Sequence, residues 1–276
     1  RMQSAPERTW KPVVLAPVRS ADTLSGSYRF LRAMTYPKGT VRALGIYQEE
    51  EKEKLKGLEL LTKAFADEGI YANTTLLEET DFVNGVRMTT QVLRNTFFRP
   101  NILFLHLRPD SDLDELQQLI DKTAAYQMGI ALLHRHPIVE LGREQVIHVW
   151  VSNQGPDWKL DLHQSNLDLA ILLAYQLSQN WDAEITLNMA IPDEAQKEKA
   201  SRFLARLISF ARLPKSTTYA VFALPFDEAL KKTPRADLNI FGLSKEPNLV
   251  AVKALSQQVL GSCIFIRGSG EESVLA

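Results

Sequence analysis

One cysteine, Cys263, is present in 276 residues. A single thiol cannot close an internal disulfide, so a reducing compartment fits better than a secreted one. Long hydrophobic runs are also missing. The longest apolar stretch, Leu167 to Tyr175, contains Asp168 and falls well short of the roughly 20 residues that a spanning helix needs. It reads as a buried helix instead. Arg1 to Pro12 is rich in Arg, Pro, Glu and Ser and lacks the apolar centre of a signal peptide, so it reads as a tether or a cut end. Charge of one sign is absent as well: 32 basic and 33 acidic residues leave a formal net charge of −1. That balance carries no electrostatic footprint for nucleic acid.

The common signatures of α/β enzymes are missing too. No G-x-x-x-x-G-K-[ST] loop occurs, and no G-x-G-x-x-G opens a helix after a strand. No G-x-S-x-G elbow supplies a nucleophile. C-x-x-C needs two cysteines. These absences favour a scaffold or sensor over an enzyme.

What is present is one plan written twice. Short apolar runs rich in β-branched residues occur at 13–16, 41–47, 74–77, 102–105 and 130–133, and again at 146–151, 185–189, 219–222, 238–241 and 263–266. Such runs read as strands buried on both faces. Between them lie helical stripes: Leu55, Leu58, Leu61 and Phe65; Phe82, Val86, Leu93 and Phe97; Leu113, Leu116, Ile120 and Ala124; and Ala200, Phe203, Leu204, Leu207, Ile208 and Ala211. Spacings of three, four and seven put each set on one helix face. The expected fold is α/β, with two similar halves, 1–143 and 144–276, each a mostly parallel five-stranded sheet flanked by helices and packed against the other. The copies are unequal, because the third helix of the second is squeezed between Pro225 and Pro234. At 45% hydrophobic and 24% charged, the composition is that of an ordinary globular protein.

Several clusters are candidates for chemistry. Thr23-Leu24-Ser25-Gly26-Ser27 lies between the first strand and a helix over 28–34, where small hydroxyl residues can present N–H groups to an anion; capping by Ser25 accounts for the same residues. Gly268-Ser269-Gly270 follows the last strand, but acidic residues come next. His134 and His136, with His148 and His163 downstream, contain enough imidazoles for zinc, although Arg135, Arg143 and Pro137 favour ordinary histidines. Asp161 and His163 make two thirds of a triad that lacks its serine. Glu49, Glu50, Glu51 and Glu53 with Lys52, Lys54 and Lys56 read as a solvated helix start. Trp10, Trp150, Trp158 and Trp181 serve either as lids on the core or as anchors for another domain.

Four stretches carry a family likeness. Trp10-Lys11-Pro12-Val13-Val14-Leu15, Arg99-Pro100-Asn101-Ile102-Leu103-Phe104-Leu105, the block from Ile147-His148-Val149-Trp150-Val151 through Asn166-Leu167, Ile171-Leu172-Leu173 and Trp181, and Phe265-Ile266-Arg267-Gly268 through Ser273-Val274-Leu275 occur in order along nearly the whole chain. Together they resemble the cytosolic C-terminal domain of the cation-chloride cotransporters, most of all a prokaryotic member. His148 and Val151 depart from that family's usual acid and second tryptophan, and the long phosphorylatable insertions of animal members are absent.

The resemblance implies a domain attached to a transmembrane symporter that moves chloride with sodium or potassium. Its halves would be universal-stress-protein-like, and its role regulation and homodimer assembly at the cytoplasmic face of the cell membrane. It implies no cofactor, no metal and no catalytic residue in this segment. The rival reading is a stand-alone tandem universal-stress-type sensor that binds a nucleotide. A metal-dependent hydrolase using His134 and His136 ranks third.

Overall fold

The computed structural model describes residues 10–160 and 165–274. Ten strands and nine α-helices are seen among them. In the first half these are β1 (Val13–Val18), α1 (Ala21–Gly26), α2 (Tyr28–Thr35), β2 (Thr40–Tyr47), α3 (Leu58–Asp67), β3 (Tyr71–Glu78), α4 (Phe82–Leu93), β4 (Ile102–His106), α5 (Leu113–Ala124) and β5 (Gly129–His134). The second half comprises β6 (Val146–Trp150), α6 (Ser165–Trp181), β7 (Glu184–Ala190), α7 (Lys197–Phe210), β8 (Thr218–Phe222), α8 (Phe226–Lys232), β9 (Leu238–Gly242), α9 (Leu249–Gln258) and β10 (Ser262–Arg267).

The strands form one continuous sheet in the order β3-β2-β1-β4-β5-β10-β9-β6-β7-β8. Each half contributes five parallel strands in the same internal order, and the halves join edge to edge where β10 runs antiparallel to β5. Leu132 lies opposite Phe265 at this seam. β6 follows β1, and β10 follows β5, at the same interval in the sequence, so Leu132 and Phe265 are equivalent positions. Antiparallel pairing of equivalent strands is what a pseudo-twofold axis through the seam requires.

Alternation along each strand feeds two helical layers. On one face Val14, Ala16 and Val18 meet Phe30, Leu31 and Met34 of α2, Phe65 of α3, and the buried sides of α6 and α7. On the other, Leu15, Leu44, Leu103 and Leu105 meet α4 and α5 in the first half, and Phe241 and Phe265 lie under α8 and α9 in the second. Each fully buried leucine or phenylalanine contributes about 1.5–3 kcal/mol. Side chains also tie the halves together. Trp181 of α6 meets Phe30 of α2 edge-on at 6.2 Å, and the Asn180 amide donates to the carbonyls of Ala33 and Tyr36.

The segment between β5 and β6 is pinned by one carboxylate. Asp237 accepts N–H bonds from Arg143, Gln145 and Val146. Gly142, at φ +57°, sits so close that a Cβ there would lie 1.9 Å from Asp237 Oδ1. Only glycine meets both demands.

Three local expectations are corrected. Phe97 does not extend the α4 stripe. The helix ends at Leu93, Thr96 N–H closes a turn onto the Leu93 carbonyl, and Pro100 keeps Arg99 out of helical geometry. Phe97 is therefore left 92% exposed. The helical cap is also not Ser25: Thr23 to Gly26 lie inside α1, whose N-terminus is capped by Ser20 accepting from Asp22 N–H. Leu55 also falls outside the helix of Leu58, Leu61 and Phe65: it ends a 3-10 turn over Glu49–Leu55, and Gly57 separates it from α3. The short third helix of the second half is α8, with 7 residues beside the 12 of α4.

Candidate functional site

In open α/β sheets, ligands gather beyond the carboxyl ends of the strands where the strand order reverses. The chain has two such points, between β1 and β4 and between β6 and β9.

The first is filled by its own side chains. Ser27, between α1 and α2, is bonded through Oγ to His106 Nε2 at 2.8 Å. Burial, aided by the charges of Arg135 and Arg108, pushes the His106 imidazole down to about 3, so it is neutral near pH 7. The Arg135 guanidinium lies across Gly26. Arg19 forms a bidentate pair with Glu115 at 2.8 and 2.6 Å. Arg108 pairs with Asp110 and donates to Thr23 Oγ1. The expected Thr23–Ser27 anion site is thus bounded by cations that already have partners.

The second point is open. Trp150, Ser152, Gln154, Asn166, Gly242 and Ser244 are among the residues that line a crevice of about 390 Å³. Trp150 also borders a second cavity of about 400 Å³ on the opposite face, with Phe226, Phe241 and Phe265. Register places different residues at the two points. Pro17 pairs with Leu44 in the first half, where Trp150 pairs with Asn188 in the second. Trp150 stacks 6.2 Å from Phe222 and from Phe241, and its indole N–H donates to Asn239 Oδ1.

Polar residues cross the same face. Strand pairing places His134, Cys263, Asn239, His148, Thr186 and Thr218 in one row across β5, β10, β9, β6, β7 and β8. By register, Leu15, Leu103 and Leu44 of the first half become His148, Asn239 and Asn188. All three are buried, and neither His148 Nδ1 nor the side-chain amide of Asn188 has a hydrogen-bond partner. Burial pushes His148 down to about 4 and the Cys263 thiol up. The short α8 leaves a further cavity of about 280 Å³ beside Asn239, Arg235 and Gln258.

The remaining candidates disperse. His134 Nδ1 bonds the Leu107 carbonyl, while His136 Nδ1 accepts from Ile138 and Val139 N–H. Three strand spacings, roughly 14 Å, separate His134 from His148. No group of three metal-type ligands occurs among the described residues. Asp161 and His163 lie outside the described residues, as does Leu275. At Gly268-Ser269-Gly270 the N–H groups of Ser269 and Gly270 are occupied by Glu272 of the same turn. Glu51 pairs with Lys54, and Glu53 with Lys56, on an exposed 3-10 turn. Trp10, Trp158 and Trp181 pack against the core. The residues that sequence reasoning missed are Asn188 and Asn239; both stand at alternate positions beside apolar neighbours, which was the available signal.

The fold is a tandem α/β fold similar to that of solved universal stress proteins. A universal stress protein from Archaeoglobus fulgidus matches at TM-score 0.60 and 13% identity, over 94% of this chain and 97% of that one. A functionally unknown protein from Pseudomonas aeruginosa matches at TM-score 0.56 and 11% identity, over 93% and 92%. At these identities the likeness shows the fold alone. The family is narrower. The family descriptions "Prokaryotic cation-chloride cotransporter, C-terminal domain, 1st" and "2nd" match residues 16–141 and 142–275. The crystal structure of the cytoplasmic domain of a prokaryotic cation chloride cotransporter matches at TM-score 0.86 and 34% identity, over 96% of this chain and 99% of that one. The chain belongs to the C-terminal cytoplasmic domains of the prokaryotic cation-chloride cotransporters. No curated protein matches it, and no described helix is long and apolar enough to cross a membrane.

Proposed function

We propose that the chain is a non-catalytic regulatory and dimer-forming domain at the cytoplasmic face of the cell membrane. Its partner is the transmembrane domain of the same polypeptide, and 1–143 and 144–276 are its two subdomains. The observation that carries this reading is the end-to-end match to the family over both halves. A continuous sheet with side-chain ties across its seam transmits force as one body. Such a body alters transport by making different contacts with two states of the membrane domain, because only a difference in contact energy shifts their populations. Light scattering on the isolated chain tests assembly: twice the chain mass is expected, and a monomer at every concentration removes dimerisation from the proposal.

The open crevice at β6 and β9 favours a second reading, in which the domain also holds a nucleotide. Against it, neither half has a glycine-rich loop leading into a helix, and the Gly268–Gly270 donors are already used. Titration calorimetry with ATP and AMP decides the matter, and absence of heat with both removes this reading.

A further inference from the structure

We infer that the loop joining α4 to β4 docks on an anionic lipid surface. This rests on the proposed membrane-anchored role and names the surface through which the domain faces the bilayer.

Three observations converge on that loop. Phe97 is 92% exposed, and Val92, in the last turn of α4, is 73% exposed. Phe98 is half-buried and fixes the base of the loop, with its ring 5.0 Å from Phe97 and 4.8 Å from Tyr71. The packed Phe98 ring thus holds the Phe97 ring out toward solvent.

The charge along this stretch of the chain is of one sign. From Phe82 to His106 the chain carries Arg87, Arg94 and Arg99 and no aspartate or glutamate. Arg87 is held by Asn84 and Gln91, and Arg99 by the Tyr126 carbonyl and Gln127. These partners are neutral and leave the cationic charge uncompensated. Exposed aromatic and aliphatic groups among cations suit the headgroup region, where rings enter the acyl boundary and guanidinium groups meet phosphates.

The third observation is position. Asn101, at the end of the loop, accepts from Val13 N–H at 2.8 Å and donates to the Lys11 carbonyl at 3.0 Å, while its own N–H bonds the Val13 carbonyl. The loop is therefore tied to the segment that leads into β1, the N-terminal side on which a C-terminal domain is joined to its membrane part. Parallel β1 and β4 both start at this pole, and because β10 runs antiparallel to β5 the carboxyl ends of β6 and β9, with their crevice, lie at the same pole.

The test is co-sedimentation of the 276-residue chain with phosphatidylcholine vesicles, with and without one third phosphatidylglycerol. Binding is expected with the anionic vesicles only, and weaker in 0.5 M salt. Phe97→Ser should weaken it about tenfold or more and Arg94→Gln about fivefold, with the melting temperature unchanged because both side chains are exposed. No binding to anionic vesicles, or binding that Phe97→Ser leaves intact, overturns the inference. So does a Phe97→Ser chain that loses self-association instead, since the loop would then be an interface between copies. The vesicles contain no transporter, so a negative result leaves the regulatory reading standing, and that reading is tested separately on the full-length protein.

Discussion

The two halves share a strand order and diverge in what fills it. In the first, Leu15, Leu44 and Leu103 lie under two 12-residue helices, and arginine pairs close the crevice where the strand order reverses. In the second, the same positions are His148, Asn188 and Asn239, α8 has 7 residues, and the crevice is open. Duplication supplies a scaffold twice. One copy has an apolar, sealed interior, and the other has buried polar groups and space in place of packing. Since unsatisfied buried polar groups cost about 1–3 kcal/mol each, the second half should be the weaker one.

The largest expected effect comes from writing the second half into the first. Leu44→Asn buries an amide without partners and removes a fully buried leucine, at a cost of about 3–5 kcal/mol. Urea unfolding measures it, and a loss below about 1 kcal/mol would show that the first half is not the tighter one.

Next comes pH. The folded-state value of His148, about 4, lies below the roughly 6.5 of an unfolded histidine. Between those values the unfolded chain binds more protons, so stability is full above about pH 6.5 and falls as pH drops toward 4, by about 3 kcal/mol in total. His148→Leu, which restores the residue type of Leu15, should remove this slope and leave the contribution of His106, whose window reaches down to about 3. An unchanged slope in the variant would break the assignment.

Smaller still is Asn188→Leu. It discards two unpartnered polar atoms and should raise stability by about 1–2 kcal/mol, read as a higher urea midpoint; destabilisation would mean that the amide has partners after all.

The skeleton of this comparison was legible in the sequence. Runs such as Val13–Ala16 and Ile102–Leu105 are apolar because both faces of the sheet are covered, and that pattern survives without any tertiary knowledge. The short α8 was legible from Pro225 and Pro234. Less visible was the joining of two five-stranded sheets into one, because an edge-to-edge seam is a pairing between distant strands, β5 and β10, that leaves no local mark. Phe97 was misplaced because helical spacing continues past the true helix end, where Pro100 decides otherwise. Ser20 was overlooked as a cap because Ser25 and Ser27 offered equally good hydroxyls. The polar positions stayed hidden because His148, Asn188 and Asn239 each look like a single exception until strand register sets them against Leu15, Leu44 and Leu103.

The most direct test of the account is chloride uptake by the full-length cotransporter in proteoliposomes, compared with a form lacking this domain. The account predicts that uptake persists, since the proposed role gives this domain no part in binding the ions, but at a changed rate and with weakened dimer assembly. Identical rates and identical assembly with and without the domain would contradict it.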